Sequence, residues 1–361
     1  MRKLLNGNQA FAYGCLIAKV SFFAGYPITP STDVYEFFEK EMPKRGGTFV
    51  AAESELAAVN TILGATIAGA RTVTVSSGCG FSLMQEGISY AAGDFVPLVL
   101  LNVMREGAGL GDIPRSQGDY DQMTKGGGNG DYHCIVLSCS SMKDCVEAPA
   151  KAFELAEKYM NPVIVTYDSD VAHTMEYVDI PDEIFDKGSA YYDLKGFSRD
   201  SARKKLKFVL SGENTPPRYI QNVYYHNKDY DRILADKYDD IEKNCQVADE
   251  YRTEDAEIIF VAFSTCNRIC LEVVDVLRDK EIKAGLITPV SLYPFPSSTF
   301  AKIIASGHVK KFVCVELNIL KQMTKDIEYA VKFRVPVETI HSMSTCPTVD
   351  EIVYSEVINN V

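Results

Sequence analysis

The sequence predicts a doubly wound α/β fold, in which helices cover both faces of a parallel sheet, followed by a second, smaller α/β domain. Up to residue 170, short β-rich runs alternate with helical segments of about ten or more residues, which is typical of right-handed βαβ units. The pattern turns polar and irregular from about 175 to 250, and regular alternation then resumes. A chain of 361 residues also exceeds what one hydrophobic core usually holds.

The first domain, residues 1–175, is built from alternating strands and helices. Periodicity predicts helices at residues 9–21, 32–42, 54–70, 81–93 and 141–159. Runs of β-branched and other apolar residues predict strands at 22–26, 47–52, 71–77, 97–104, 134–139 and 162–168. Ser141, followed three residues later by Asp144, resembles a capping box and marks the start of the last helix.

The rest of the chain divides into a connector and a second domain. Residues 176–252 are expected to form a connector that is partly helical, with a helix at 228–251. Residues 253–361 are expected to form the second domain, with strands at 256–263, 283–289 and 310–317 and helices at 267–280, 297–307, 319–332 and 348–358.

Composition excludes several classes of function. The 46% hydrophobic and 24% charged content is that of a globular protein. A formal net charge of -12 gives no basic footprint for nucleic acid. No run of about eighteen apolar residues occurs, and the N-terminus lacks the apolar core of a signal peptide. We therefore expect a cytoplasmic protein with neither a nucleic-acid nor a membrane partner.

The ten cysteines are expected to be reduced thiols, because disulfides are rare inside cells. Cys134, Cys139 and Cys145 are spaced too widely for a C-x-x-C motif, and no such motif occurs elsewhere. The spacing therefore supports neither zinc nor iron–sulfur ligation, and no metal ligand is assigned.

A loop with two prolines, FFAGYPITPSTD at residues 22–33, follows the first predicted strand of the parallel sheet. Because a residue before proline avoids helical geometry, Tyr26 and Thr29 are expected to be extended. The loop lies at the carboxyl end of its strand, which is where open α/β sheets bind ligands. The pattern favours a ligand-binding loop and a plain rigid turn about equally.

Two glutamates, Glu53 and Glu55, stand at the start of an almost wholly apolar helix, which we expect to be buried. The helix dipole favours the anion of a carboxylate in the first turn, whereas a dry setting favours its proton. The alternative is a simple helix N-terminal charge, which is the favoured interpretation for Glu53.

Arg105 follows the predicted strand at 97–104 and is expected at the same end of the sheet as Thr29. Its fork geometry suits a substrate carboxylate. Alternatively, Arg105 pairs with Glu106 or Asp112 in a surface loop. Two glycine-rich segments, SSGCGFSLMQEG and GGGNGDY, lack the endings of a phosphate loop or dinucleotide fingerprint, so their role is left open.

These segments resemble the α-subunits of 2-oxoacid:ferredoxin oxidoreductases, which are thiamine diphosphate enzymes. The resemblance extends over nearly the whole chain, through GYPITPST, AESELAAVNTILGA, GFSLMQEGISY, EYRTEDAEIIFVAFST and GLITPVSLYPFP. The segment NVMREGAGLGDIPRSQGDYDQMTKGGGNGDY is most similar to the branched-chain, 2-oxoisovalerate type, with the 2-oxoglutarate type close behind. The resemblance implies a pyrimidine-binding domain for thiamine diphosphate, followed by a transketolase C-terminal-like domain.

The resemblance also implies roles for individual residues. Glu55 matches the cofactor glutamate, because the family places a glycine nine residues later and Gly64 stands there. Thr29 and Arg105 match the substrate threonine and arginine, so Glu55, Thr29 and Arg105 are the expected catalytic residues. The residues expected to bind the cofactor are Glu55, Tyr26, Pro27, Ile28, Thr29, Ser77 and Gly78.

Two positions depart from the family pattern. Cys79 stands where most relatives have proline, and Glu106 where many have glycine. Because Glu106 follows Arg105 directly, it is expected to compete with a substrate carboxylate for the guanidinium.

The implied activity is oxidative decarboxylation of a 2-oxo acid to acyl-CoA with reduction of ferredoxin. No convincing Gly-Asp-Gly loop for diphosphate and Mg²⁺ occurs here, so both are expected on a β-subunit. Iron–sulfur clusters are likewise expected on partners, with γ and ferredoxin-like subunits in the assembly. A noncatalytic α/β scaffold and a nucleotide-binding oxidoreductase that uses the glycine loops are the alternatives.

Overall fold

The computed structural model describes residues 1–181 and 230–359. The helices of these ranges are α1 (Gly7–Ile17), α2 (Thr32–Glu41), α3 (Glu55–Ala68), α4 (Gly78–Leu83), α5 (Gln85–Gly93), α6 (Tyr120–Thr124), α7 (Met142–Tyr159), α8 (Ser169–His173), α9 (Tyr230–Asn244), α10 (Ser264–Asp279), α11 (Ser297–Ala305), α12 (Gln322–Val331), α13 (Val349–Val353) and α14 (Glu356–Asn359). A single 3₁₀ turn at Pro43–Arg45 follows α2.

A seven-stranded sheet forms the first domain. Its strands are β2 (Phe22–Gly25), β3 (Thr48–Ala51), β4 (Thr72–Ser76), β5 (Val99–Met104), β6 (Ile135–Ser138), β7 (Val163–Asp168) and β12 (Ser291–Tyr293). They lie in the order β12-β6-β7-β5-β4-β2-β3. All neighbours are parallel except β12, which runs antiparallel to β6. The predicted doubly wound α/β fold is confirmed.

A five-stranded sheet forms the second α/β domain. Its strands are β9 (Ala248–Tyr251), β10 (Ile258–Val261), β11 (Ala284–Pro289), β13 (Lys311–Glu316) and β14 (Val337–His341). The order is β14-β13-β10-β11-β9, and only β9 is antiparallel to its neighbour. A two-stranded antiparallel ribbon joins β1 (Arg2–Asn6) to β8 (Met175–Asp179).

The cores show how the two sheets are joined. One apolar cluster lies on the face of the first sheet that α1 and α7 cover, and it includes Phe11 and Phe153. The cluster on the opposite face is shared, because Leu100 of the first sheet belongs to it together with Ile259 and Phe312 of the second. The two α/β units therefore bury a common core.

Polar contacts fix the junction between the sheets. The Gln117 amide donates to the Phe263 carbonyl at 3.0 Å and accepts from the Leu317 amide at 3.0 Å. The buried Asp168 carboxylate accepts from the backbone N–H of Thr265 at 3.0 Å. Asp168 ends β7 and Thr265 lies in the first turn of α10, so the junction reaches the carboxyl ends of the first sheet's strands.

Several boundaries differ from the predictions. The helix predicted at 228–251 ends at Asn244, because Ala248–Tyr251 pairs with β11 as a strand. The helix predicted at 81–93 begins earlier, at Gly78, and is divided at Met84 into α4 and α5. The helix predicted at 348–358 is two short helices, since the Ser355 hydroxyl donates to the Ile352 carbonyl at 2.7 Å and ends the first.

Other elements were not predicted: β1, β8, β12, β14, α6 and α8. The ribbon pairs Arg2 with Asp179, and β12 crosses to pair Tyr293 with Val136 in the other sheet. Such long-range pairings leave no local period in the sequence. The capping box is confirmed, because Ser141 Oγ accepts from the Asp144 amide and Asp144 Oδ2 accepts from the Ser141 amide at 2.9 Å.

The division at 175 and 252 stays a prediction, and most of the predicted connector lies outside the described residues. Within the two described ranges, no helix is long and apolar enough to cross a membrane.

Candidate active site

The candidate site lies where the carboxyl ends of neighbouring parallel strands meet. The loop with Thr29 follows β2, Ser77 and Gly78 follow β4, and Arg105 follows β5. Because β2, β4 and β5 are adjacent in the sheet, these segments come together at one edge. Helix α3, which begins with Glu55, follows β3 at the same edge.

Glu55 is the first residue of α3, after the N-cap Ser54, whose hydroxyl accepts a hydrogen bond from the Ala57 amide at 3.2 Å. The Glu55 side chain is only 5% exposed, whereas Glu53 is exposed. Within the described ranges, the Glu55 carboxylate receives no hydrogen bond. A buried carboxylate without a donor is costly, so its presence indicates a ligand that supplies one.

Gly80 makes room for this carboxylate. A Cβ at Gly80 would overlap Oε1 of Glu55 and Oγ of Ser76, so the two oxygens face the same small space. The hydroxyls of Ser76 and Ser77 are buried and have no hydrogen-bond partner among the described residues. Three polar groups at the end of β4 and the starts of α3 and α4 thus keep hydrogen-bonding capacity that the described residues do not use.

Arg105 is buried, with only 8% of the residue exposed. It donates from Nη1 to the Thr29 carbonyl at 2.5 Å and from Nη2 to the Leu110 carbonyl at 2.9 Å. Its Nε is buried without a partner in the part of the chain that the structure describes. The cation therefore has only neutral partners within hydrogen-bond distance.

The alternative pairing of Arg105 with Glu106 or Asp112 is wrong, because neither carboxylate forms an ion pair with it in the described ranges. The loop folds back on itself instead, with the Asp112 amide donating to the Glu106 carbonyl at 2.9 Å. Burial raises the pKa of Asp119, and the Asn102 hydrogen bond and the charge of Arg105 offset part of that rise.

The loop with two prolines is held through its backbone. The Asn8 amide donates to the Pro30 carbonyl at 2.7 Å, and the Ser31 hydroxyl donates to the Ile28 carbonyl at 2.9 Å. Arg105 holds the Thr29 carbonyl, which leaves the Thr29 side chain exposed. Tyr26 and Pro27 are also exposed, and Ile28 is half-buried. The loop is fixed while its side chains remain accessible.

Gly78 fits the arginine. Its φ of +48° is a left-handed conformation, and a Cβ there would stand 3.2 Å from Nε of Arg105. Sequence reasoning thus identified the residues at the strand ends but missed Ser76 and Gly80. The second glycine of SSGCGF was the signal for a close approach.

Among the described residues, no group of three or more His, Cys, Asp or Glu side chains could hold a metal ion. All ten cysteines are free thiols, eight of them buried.

Two family models match most of the chain. Residues 13–244 match the thiamine diphosphate-binding domain of pyruvate flavodoxin/ferredoxin oxidoreductases, and residues 256–351 match core domain II of pyruvate:ferredoxin oxidoreductase. The chain is 36% identical to the ketoisovalerate oxidoreductase subunit VorB of Methanothermobacter thermautotrophicus, over 94% of this chain and 93% of that protein. It belongs to the 2-oxoacid:ferredoxin oxidoreductase family, as an α-subunit.

Other members of the 2-oxoacid:ferredoxin oxidoreductase family are similar as well. The 2-oxoglutarate synthase subunit KorA of Archaeoglobus fulgidus is 34% identical, over 90% of each chain. The structure of 2-oxoglutarate:ferredoxin oxidoreductase from Magnetococcus marinus matches with a TM-score of 0.80 and 25% identity, over 98% of this chain and 64% of that one. The members of this family are oxidoreductases that consist of several subunits.

Proposed function

We propose that this chain is the α-subunit of a thiamine diphosphate-dependent 2-oxoacid:ferredoxin oxidoreductase that converts a 2-oxo acid and coenzyme A to acyl-CoA and CO₂ while reducing ferredoxin. The observation that supports it most is the buried Glu55 carboxylate, which lacks a hydrogen-bond donor in the described ranges and lies where a side chain at residue 80 would otherwise stand. A ligand with an N–H group would satisfy it.

The residues present fit the pyrimidine end of thiamine diphosphate. Glu55 would hold a ring nitrogen by its carboxyl group, with the unpartnered Ser76 and Ser77 hydroxyls beside it. The exposed loop Tyr26, Pro27, Ile28 and Thr29 would line the ring together with Gly78. When bound, the cofactor supplies a carbon nucleophile for the 2-oxo carbon. Glu55 would hold and move the proton on which that reactivity depends.

Arg105 and Thr29 would bind the 2-oxo acid. Arg105 is buried with neutral partners and an unused Nε, so it has charge and a donor available for a carboxylate. The exposed Thr29 hydroxyl would donate to the oxygen on which charge develops. Holding the Thr29 carbonyl, Arg105 also fixes the distance between the two groups.

A branched-chain acid such as 2-oxoisovalerate fits better than 2-oxoglutarate. The loop after Arg105 presents the apolar side chains of Leu110 and Ile113, which are 79% and 50% exposed. The nearest second arginine on the loop, Arg115, pairs with Asp170 at 2.5 Å and is not free for a second carboxylate. The 2-oxoglutarate type remains the second candidate because KorA is almost as similar as VorB.

A β-subunit would supply the diphosphate and Mg²⁺ site, and partner subunits would carry the iron–sulfur clusters and the contact with ferredoxin. The described residues contain no metal-binding cluster of their own. The isolated chain is therefore expected to fold but to oxidise no 2-oxo acid.

The test is an assay of the complex, coexpressed with its partner subunits, against a panel of 2-oxo acids with coenzyme A and a viologen dye. We expect copurified thiamine diphosphate and turnover with 2-oxoisovalerate. A scaffold would retain no thiamine diphosphate, and a nucleotide-binding oxidoreductase would retain flavin or nicotinamide instead. Oxidation by the isolated chain would contradict the shared site.

A further inference from the structure

One turn at the start of α4, residues 78–80, touches both Glu55 and Arg105. Gly78 lies against the arginine, with the site of a missing Cβ 3.2 Å from Nε. Gly80 lies against the Glu55 carboxylate. Cys79 stands between the two glycines, so it is the only residue of this turn that has a side chain. It is therefore placed to influence the catalytic pair.

The Cys79 thiol contacts the guanidinium. Its Sγ lies 3.7 Å from Nη2 of Arg105, within the range of a weak N–H···S hydrogen bond. Nε of the same guanidinium is buried and has no acceptor among the described residues. Arg105 itself is 8% exposed. The sulfur thus contacts a buried cation that keeps one donor, Nε, unused.

The Cys79 sulfur is an acceptor that a substrate carboxylate can displace. Sulfur is a weak acceptor, whereas a charged carboxylate forms short and strong hydrogen bonds with a guanidinium. A thiol can therefore hold Arg105 in the absence of an acid without competing strongly when one arrives. The Thr29 and Leu110 carbonyls also hold the guanidinium, so loss of the sulfur contact is expected to shift the guanidinium only slightly.

We propose that Cys79 is a positioning residue of the acid-binding site, whose sulfur, together with the Thr29 and Leu110 carbonyls, holds the Arg105 guanidinium where it meets the carboxylate of the 2-oxo acid. The proposal rests on the function proposed above for Arg105. It concerns the carboxylate that all 2-oxo acids share. Removal of the sulfur is therefore expected to weaken the binding of every accepted acid by a similar factor.

A matched control is present in the chain. Of the ten cysteines, only Cys79 and Cys346 are half-buried, and the other eight are buried. Cys346 contacts neither Glu55 nor Arg105 in the described ranges. Its hydrogen bond with Cys266 lowers the pKa of Cys346, and the exposure of Cys346 falls in the same class as that of Cys79. Cys346 therefore reports on general accessibility and oxidation.

The first experiment compares KM and kcat of the coexpressed complex carrying Cys79→Ala, Cys79→Ser or Cys346→Ala, with 2-oxoisovalerate and 2-oxoglutarate. We expect Cys79→Ala to raise KM about three- to tenfold for each accepted acid, with kcat changed less than about twofold. Cys79→Ser keeps an acceptor and should stay within about twofold of the parent KM. Cys346→Ala should match the parent.

The second experiment uses the unmutated complex and iodoacetamide, with mass spectrometry of the alkylated peptides. Saturating 2-oxo acid should slow alkylation at Cys79 and leave Cys346 unaffected. An unchanged KM in Cys79→Ala, equal defects in the Ala and Ser variants, or a defect for one acid alone would each overturn the positioning role. A parent complex that oxidises no 2-oxo acid would instead overturn the proposed function, and this inference with it.

Discussion

Two buried carboxylates in this α-subunit stand at similar places and have opposite surroundings. Glu316 ends β13 of the second sheet, and its oxygens accept from the Asn318 amide at 2.6 Å, the Met323 amide at 2.9 Å and the Thr324 hydroxyl at 2.6 Å. Glu55 follows β3 of the first sheet and accepts no hydrogen bond from any described residue. They are 0% and 5% exposed, so burial does not distinguish them.

The difference teaches how to separate a structural charge from a functional one. The Glu316 carboxylate caps the start of α12, so the fold uses all of its capacity. Glu55 accepts no hydrogen bond from the described residues, and its carboxylate lies against Gly80, where a side chain would displace it. The two arginines that pair as a β-bridge at the base of the loop after β5 show the same contrast, because Arg115 pairs with Asp170 whereas Arg105 has only neutral partners. At the candidate site, Glu55 and Arg105 thus keep hydrogen-bonding capacity that the fold does not use.

The largest effect is expected from Glu55→Gln, which should lower 2-oxo acid oxidation by the complex about 100-fold or more, because the amide cannot relay a proton. The free energy of unfolding should change little, since no hydrogen bond of the fold is lost. Glu53→Gln is the matched control, because Glu53 is exposed. Equal losses of activity in the two variants would contradict a specific role for Glu55.

Glu316→Gln should have the opposite outcome. Its amide group would face backbone N–H donors of α12, so we expect the free energy of unfolding to fall by about 2 to 3 kcal/mol. Denaturant titration of the chain measures it. Below the unfolding transition, activity should stay close to that of the parent. A variant that is stable but inactive would show that Glu316 belongs to the site.

Arg105→Lys should raise KM for every accepted acid about tenfold or more, because an ammonium lacks the two-pronged geometry that a carboxylate uses. Arg115→Lys is its control and should leave KM within about twofold, since Asp170 already occupies Arg115. If Arg115→Lys has the larger effect, the substrate carboxylate is bound by Arg115, which pairs with Arg105 across the base of the loop.

The smallest effect is expected from Glu106→Gly. The sequence predicted competition between Glu106 and the substrate for Arg105, which would make this change lower KM. Because Arg105 bonds to the Thr29 and Leu110 carbonyls and not to Glu106, we now expect KM to change less than about twofold. Steady-state assays of the complex decide between the two, and a clear fall in KM would restore the sequence-based interpretation.

The sequence predicted the position of the site because strand ends are local features. Tyr26 to Thr29, Ser77 and Arg105 each follow an apolar run directly, and adjacent parallel strands bring such loops together. The sequence pattern favoured a simple helix N-terminal charge as the role of Glu53. The structure distinguishes the two glutamates, because Glu55 is buried and Glu53 is exposed.

The rest depended on packing between distant segments. Ser76 and Gly80 belong to the candidate site because α3 and α4 meet at Glu55. The hydrophobic periodicity of either helix does not predict this contact. The same holds for β12, whose Ser291 pairs with Leu137 in the other sheet. The pairing of Glu106 with Arg105 was mispredicted for a related reason, since a neighbour in sequence is not the nearest acceptor when a loop folds back on itself.

The most direct test of the central claim, that Glu55 serves the cofactor and not the fold, follows exchange of the proton on the reactive carbon of bound thiamine diphosphate. The complex would be diluted into deuterium oxide, quenched with acid at set times and measured by proton NMR. We predict exchange at least about 100-fold slower in Glu55→Gln than in the parent or in Glu316→Gln. Equal exchange rates in Glu55→Gln and the parent would contradict the assignment of Glu55.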